Sequence, residues 1–202
     1  MEGFLRSVPK LTLAILATSM LVSAIATYNL VPIYKLSFSS KIWTHSQYWR
    51  LLTSFTFHGT FSLGTFIHFL LYFNSSRQME LQGSGQYLFY TTLVYLISLI
   101  SGIFLGVSWM SDVHFLAVVY VNCRRNRDSK IAIMGLPIQI SAAYLPYITL
   151  ALNFSTGSGI GIVLGHIYYY FEDIYPKLPN SRNKRYLNAP MVFLRLSEML
   201  RL

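Results

Sequence analysis

His166 has the clearest chemical potential in this chain, because it follows three glycines spaced four residues apart at Gly157, Gly161 and Gly165. An imidazole acts as a general base when a nucleophile lies within hydrogen-bonding distance. Ser158 lies on the same predicted helix, two turns from the histidine, which is too far for a hydrogen bond. We therefore expect His166 to be catalytic only if another segment supplies the nucleophile. Otherwise we expect it to dock one helix against another.

No other segment supplies a recognisable nucleophile motif. An intramembrane serine protease would carry Gly-x-Ser-Gly on its fourth span, but Ser111 in that region has no flanking glycines, and Ser84 falls in a predicted loop. The spacing of cysteine and histidine does not suggest a metal site, and we expect no cofactor. We predict no catalytic residues, and an active protease that uses an unrecognised serine remains the alternative.

The glycine spacing itself predicts a packed membrane helix. Residues four apart lie on one helix face, so the three glycines form a groove without side chains. Interior glycines cost about 1 kcal/mol each in a helix in water, whereas in lipid such a groove lets another helix approach closely. We expect the fourth span to fill it, and we expect the helix to end at Glu172, Asp173 and Pro176.

The composition predicts an all-α integral membrane protein. Of the 202 residues, 53% are hydrophobic and 11% are charged, and the mean hydropathy is +0.45. Soluble domains have roughly 25% charged residues. The first apolar run is long enough to span a membrane and lacks a clear cleavage site, so we expect no cleaved secretory signal. Cys123 is the single cysteine, which excludes an intramolecular disulfide.

Six apolar segments predict six transmembrane helices in residues 1–176, followed by a short basic tail over 177–202. The predicted spans are 11–31, 60–74, 87–107, 109–122, 131–152 and 157–171. The fourth span has about 14 residues, or roughly 21 Å of helix, against a hydrocarbon core of ~30 Å. The second and fourth spans therefore predict local thinning of the bilayer.

The basic residues predict that both termini are cytosolic. This arrangement places all of the 16 Lys and Arg residues except Lys35, Lys41 and Arg50 on the cytosolic side, as the positive-inside rule requires. The net charge is +9, but the basic residues form no stripe, so we expect no nucleic-acid partner. The predicted cytosolic loop determines topology and contacts anionic lipid secondarily, through Arg124, Arg125, Asn126 and Arg127.

Polar groups near the predicted span ends have two expected roles. Trp49 and Arg50 in the first loop predict an interfacial tryptophan beside an arginine that snorkels to the lipid headgroups. Four other polar residues are expected to hydrate a cavity that faces the lumen: Asp112, His114, Gln139 and Ser141.

Six segments in chain order resemble the derlin family, the catalytically inactive branch of the rhomboid superfamily. They are residues 6–9, 49–50, 119–126, 144–147, 161–176 and 187–190. The most specific runs from Gly161 and Gly165 through His166 to Glu172, Asp173 and Pro176. By position, His166 matches the rhomboid catalytic histidine, but the matching serine motif is absent. The resemblance implies a rhomboid-like bundle.

The resemblance also implies a function in endoplasmic-reticulum-associated degradation. A derlin is a multi-pass protein of the endoplasmic reticulum membrane. It binds misfolded lumenal or membrane proteins and assists their retrotranslocation to the cytosol, near a membrane ubiquitin ligase, for proteasomal degradation. The tail lacks the glycine-containing motif that recruits the cytosolic AAA ATPase in some derlins, so we expect indirect recruitment. A passive assembly scaffold is a further alternative, and the sequence leaves oligomerisation open.

The topology makes a direct prediction. A glycan-acceptor tag fused to either terminus should stay unmodified, whereas a tag within residues 32–58 should be glycosylated, because only that connection would lie in the lumen with room for a glycan. Gel mobility with and without glycosidase measures this. Modification of one terminal tag would indicate an odd number of crossings.

Overall fold

The computed structural model describes residues 8–39, 41–132, 139–179 and 185–200, and they are mostly helical. The helices in these ranges are α1 (Lys10–Thr27), α2 (Lys41–Thr44), α3 (Trp49–Thr56), α4 (Leu63–Gln82), α5 (Ser84–Leu105), α6 (Met110–Arg125), α7 (Leu145–Leu152), α8 (Thr156–Tyr169) and α9 (Met191–Met199). A π-helical segment, Tyr170–Ile174, continues α8. Residues 6–7 of the first derlin-like segment, 133–138 of the predicted fifth span, and 180–184 and 201–202 of the predicted tail lie outside the described residues.

The predicted fifth span is wrong in its first part. Strands β1 (Lys130–Ala132) and β2 (Gln139–Ser141) pair antiparallel there. A short 3₁₀ turn, Ala142–Tyr144, follows, and α7 then has eight residues. Pro146 lies in the first turn of α7, where its missing N–H costs nothing, whereas it would break the interior of a longer helix.

Two of the described helices, α1 and α5, are long and apolar enough to cross a membrane. They correspond to the first and third predicted spans, and the number of crossings stays a prediction. The 16 residues of α6 extend about 24 Å at ~1.5 Å per residue, which is less than the ~30 Å core. The helix continues to Arg125, beyond the predicted end at residue 122. The prediction of a short second span ending at residue 74 is wrong, because α4 has 20 residues and continues to Gln82.

Helix α6 is the centre of the molecule. All of its residues are buried except Asp112, Arg124 and Arg125, which are half-buried. A helix that is buried on all sides lies in the core of a bundle, and α3, α4, α5, α7 and α8 all pack against this one. The polar residues at its two ends are therefore held in fixed positions relative to all of these neighbours.

The most extensive helix contact joins α8 to α6 through the glycine groove. A β-carbon on Gly161 would lie 2.5 Å from the carbonyl oxygen of Val113, and one on Gly165 would lie 2.9 Å from Cβ of Tyr120. Gly157 faces the backbone just before α6 begins. The two backbones therefore meet at a distance that only glycine permits.

A buried carboxylate anchors the start of α1. Glu80 near the end of α4 is 1% exposed and accepts the backbone N–H groups of Leu11 and Thr12 at 2.9 and 2.6 Å. It also accepts the Thr12 hydroxyl at 2.7 Å, while Ser76 links that threonine to Tyr87 on α5. A carboxylate satisfies the orphan N–H groups at a helix N-terminus and interacts favourably with the helix dipole there.

The segment before α9 is held by one amide. Gln86 donates from Nε2 to the carbonyl of Leu187 at 2.8 Å and accepts from the backbone N–H of Ala189 at 2.7 Å. Helix α9 then packs on α5, where a β-carbon on Gly85 would lie 2.8 Å from Cδ2 of Leu194. The start of α5 therefore holds the last described helix.

The glycine contact predicts a contrast between neighbouring glycines. Gly161→Ala should destabilise the purified protein by about 1–3 kcal/mol, as overpacking does, because the new methyl would collide with the backbone of α6. Gly159→Ala is the matched control, since a β-carbon there meets nothing within 4 Å. Midpoints of thermal unfolding in detergent measure both, and equal midpoints would contradict the contact.

Candidate functional site

Two polar cavities lie at opposite ends of α6, each lined by α4, α6 and α7. The amino-end cavity has a volume of about 410 Å³, and its polar lining is His58, His68, Asp112, Asn153, Ser155 and Ser158, with Thr149 from α7. The carboxyl-end cavity has a volume of about 280 Å³, and its polar lining is Asn74, Ser75, Gln78, Asn122, Asn126 and Ser129. Both have space for polar groups from outside the chain.

The amino-end cavity forms where α6 and α8 begin. Ser155 caps α8 by accepting the N–H of Ser158 at 3.0 Å, and its hydroxyl lies 3.1 Å from Oδ2 of Asp112. Asp112 is in the first turn of α6. The partial positive charge at a helix N-terminus favours a carboxylate, so both helices support Asp112 at the cavity wall.

Two histidines complete this wall. Nδ1 of His58 lies 2.9 Å from the carbonyl of Thr56, so that nitrogen carries the proton and Nε2 is an acceptor. His68 stacks on Phe115 with ring centroids 3.8 Å apart, and the side-chain amide of Asn153 lies 3.4 Å from its Nε2. Burial lowers the pKa of His58 to about 4, so near neutral pH its ring is uncharged and its Nε2 can accept a hydrogen bond.

Of the four polar residues expected to hydrate a lumenal cavity, one lines a cavity in the structure, and the lumenal orientation of that cavity stays a prediction. Asp112 lines the amino-end cavity, but His114 is 0% exposed and lies outside the lining. Gln139 and Ser141 are in β2, near the other end of α6, where Ser141 donates to the carbonyl of Arg127 at 2.6 Å. Gln139 and Ser141 depart from the prediction because the strand pair reverses the chain before α7, and His114 departs from it because its ring packs against Phe55 inside the bundle.

Amides dominate the carboxyl-end cavity. Nδ2 of Asn126 donates to Oε1 of Gln78 at 2.9 Å and to Oδ1 of Asn122 at 3.0 Å. Nδ2 of Asn122 lies 3.4 Å from the hydroxyl of Ser75. Amide side chains both donate and accept, so this cavity matches the hydrogen-bonding groups of a polypeptide backbone.

The predicted basic loop is partly helical. Arg124 and Arg125 occupy the last turn of α6, where positive charge interacts favourably with the helix dipole. Arg124 donates to the hydroxyl of Tyr147 on α7 at 2.7 Å, and Arg125 forms an ion pair with Asp173 at 2.9 Å. The side chain of Arg127 is 72% exposed. Arg124 and Arg125 therefore connect α6 to neighbouring segments.

His166 forms its hydrogen bond with a tyrosine. Its Nδ1 lies 2.7 Å from the hydroxyl of Tyr120, which also accepts from Nε of Arg124 at 3.0 Å. The hydroxyl of Tyr120 therefore bridges the imidazole and the guanidinium. Ser111 donates its own hydroxyl to the carbonyl of Phe57. Within the described ranges, no serine hydroxyl is hydrogen-bonded to a histidine ring.

Trp49 and Arg50 have opposite environments. Arg50 is 2% exposed, and its guanidinium donates to the carbonyls of Tyr34 and Ser37 at 2.7 and 2.8 Å and to Oε1 of Gln47 at 2.7 Å. Trp49 is 52% exposed. The prediction of a snorkelling arginine is therefore wrong, because the buried guanidinium donates to three acceptors in the connection between α1 and α3.

The predicted exit of the sixth span is a buried polar turn. Glu172 lies in the π-helical segment, 3.6 Å from Nη1 of Arg185, and burial raises the pKa of its carboxyl group. Asp173 holds Arg125, and Pro176 is buried in the following turn. Asp173 therefore joins the end of α8 to α6, and Glu172 joins it to the segment before α9.

With this geometry established, comparison with known proteins decides the family. The model of the Der1-like family matches residues 8–191. The chain belongs to this family. It is 27% identical over 202 residues to Derlin-2.1 of Zea mays, covering 90% of this chain and 81% of that protein.

Two further derlins extend this range of relatives. The chain is 34% identical over 152 residues to the probable derlin-2 homolog of Dictyostelium discoideum, covering 67% of this chain and 59% of that protein. It is 27% identical over 180 residues to Derlin-1 of Drosophila melanogaster, covering 83% and 73%. The derlin resemblance drawn from the motifs is confirmed.

Sequence reasoning missed four polar residues of this derlin-family chain: Glu80, His58, His68 and Asn153. The sequence did carry a signal for Glu80, because an acidic side chain stands near the end of a segment that begins with apolar residues. The other three come from two loops and from α4, and only the fold brings them together. No spacing in the sequence could have grouped them.

The two residues of the first-loop motif should respond differently to truncation. Arg50→Ala should expose residues 30–48 to hydrogen exchange and limited proteolysis, because three carbonyl-type acceptors lose their shared donor. Trp49→Ala should leave exchange in this segment close to wild type, since the ring is half-exposed. Equal protection in both variants would contradict the structural role of Arg50.

Proposed function

We propose that this derlin-family chain works in endoplasmic-reticulum-associated degradation, where it receives misfolded lumenal or membrane polypeptides and assists their passage to the cytosol. The observation that carries the proposal is the pair of polar cavities on one flank of α6, one at each end, between α4 and α7. Family membership supports the same role.

The cavities address the main cost of moving a polypeptide through lipid. Each unsatisfied backbone group in hydrocarbon costs several kcal/mol. The carboxyl-end amides of Asn122 and Asn126 and the amino-end groups of Asp112 and Asn153 offer partners near both surfaces. The backbone groups of a passing client would therefore lack hydrogen-bond partners over a shorter distance.

Short helices reduce that distance further. Helix α6 has 16 residues and α7 has eight, and both line the flank with the cavities. A span shorter than the hydrocarbon core is accommodated by thinning the bilayer, at fractions of a kcal/mol per Å. Local thinning beside α6 would bring the two cavities closer to water.

In the proposed arrangement the chain crosses the endoplasmic reticulum membrane six times with both termini in the cytosol. The amino-end cavity then opens to the lumen, and the carboxyl-end cavity opens to the cytosol. A membrane ubiquitin ligase would modify the emerging client, and the cytosolic AAA ATPase would reach it through a partner protein.

We also propose that the client is not cleaved. His166 is in a hydrogen-bond network with Tyr120 and Arg124, and Ser111 donates to a backbone carbonyl. The competing function is an active intramembrane protease. A cleavage product made by the purified wild-type protein, and absent with His166→Ala, would favour that function instead.

Photocrosslinking tests the proposed route. A photoreactive residue at Asn153 or Asn74, one beside each cavity, should form adducts with a misfolded lumenal client in native membranes while that client is being degraded. Leu96 on α5 is the matched control, because it is 54% exposed and lies outside the lining of both cavities. Adducts should be absent there.

The outcomes separate the candidate functions. Adducts at both cavity positions with a full-length client support passage along this flank. Equal adducts at Leu96 would mean nonspecific contact, and an absence of adducts at the cavity positions during active degradation would leave only a scaffold role.

A further inference from the structure

The amino-end cavity is unusual in its charge. The whole chain has 16 basic and seven acidic residues, yet the cavity lining contains one carboxylate, Asp112, and neither lysine nor arginine. Within the described residues the ion pairs involve other acids, so Asp112 has no cationic partner. A basic protein therefore has a cavity whose only formal charge is negative.

The carboxylate has capacity to bind a ligand. The hydroxyl of Ser155 lies 3.1 Å from Oδ2, and in the described part of the chain Oδ1 has no hydrogen-bond donor. An ionised carboxylate accepts several hydrogen bonds, and its strongest partners are cationic donors such as ammonium and guanidinium groups. The vacant acceptor positions therefore favour a cation.

The surrounding groups also favour a cation over an anion. Nε2 of His58 is a buried acceptor without a described partner, and Nε2 of His68 faces the donor of Asn153. Phe154 lines the cavity with 85% of its surface exposed, so most of its ring surface is uncovered. Cations bind favourably over an aromatic ring face within about 6 Å of its centroid.

From this arrangement we infer that the amino-end cavity recognises a single basic side chain, a lysine ammonium or an arginine guanidinium, on a polypeptide client. The inference rests on the proposed function, because it names the chemical feature by which a client is held. The volume of about 410 Å³ lies within the range of pockets for small ligands.

A metal ion is a poorer occupant of the same cavity. The described residues contain no group of three histidine, cysteine or carboxylate side chains that is arranged to hold one. The ammonium group of a lipid headgroup shares the chemistry of lysine. The cavity is lined by α4 and α7, which border the proposed client route. This position favours a polypeptide over a lipid headgroup as the occupant.

Binding of matched peptides tests the inference. The purified full chain, in an uncharged maltoside detergent, is titrated against fluorescent uncharged peptides that differ at one central residue: lysine, arginine or norleucine. The lysine and arginine peptides should bind roughly tenfold more tightly than the norleucine peptide, as one charged hydrogen bond allows. Fluorescence anisotropy measures the three dissociation constants.

Two variants assign the preference to the cavity. Asp112→Asn should abolish it while asparagine still accepts the hydrogen bond of Ser155, and Asp128→Asn should preserve it. Asp128 is the matched control because its side chain is 94% exposed at the other end of α6. Phe154→Leu, at an exposed position, should reduce the preference without affecting folding.

The outcomes distinguish the inference from the function on which it rests. If all three peptides bind equally, the basic subsite is wrong while reception of polypeptides stands. If none of them binds, both proposals fail. If added phosphatidylethanolamine removes the lysine preference by competition, the site belongs to the lipid ammonium group, and the inference is overturned.

Discussion

The backbone contact between α6 and α8 is the constraint on which the other features depend. Gly161 brings α8 onto the carbonyl of Val113, and polar links fix the pair at both ends. Ser155 reaches Asp112 where the two helices begin, and residues beyond α8 reach the last turn of α6. Side chains would separate the helices and would shift these links, so the glycine groove sets the register of the cavity walls.

Three polar side chains outside the two cavities have their partners within the chain. Glu80 caps α1, Gln86 is hydrogen-bonded to the segment before α9, and Arg50 donates to carbonyls of the first connection. Lipid offers no hydrogen bonds, so each of these groups needs an internal partner. The flank between α4 and α7 differs, because its polar groups line two cavities.

The sequence predicts features that depend on local spacing. Glycines four residues apart predicted a helix face free of side chains, and the structure places that face on α6. The motifs of the last span predicted the family. Pro146 also had a local meaning, as the first turn of a short helix, but the apolar composition around it favoured a longer span that the structure does not contain.

Features that depend on distant residues could not be predicted in this way. Arg50 was expected in the headgroups because an arginine beside a tryptophan is typical of an interface, yet carbonyls 13 and 16 residues away surround it. His58 and His68 carry no spacing signal, and they acquire a role only when α4 packs beside α6. Contacts of this kind require the tertiary fold.

The central claim is that α6 and α8 form a rigid frame, beside which the flank between α4 and α7 admits a client. Distances between spin labels, measured by pulsed electron resonance with and without an arrested client, test it most directly. Labels at Leu70 and Leu152, both exposed, report on α4 and α7. Labels at Arg127, two residues beyond the end of α6, and at Ile167 on α8 report on the frame. The account predicts that the client lengthens the first distance and leaves the second unchanged. A client that changes the second distance and leaves the first unchanged would contradict it.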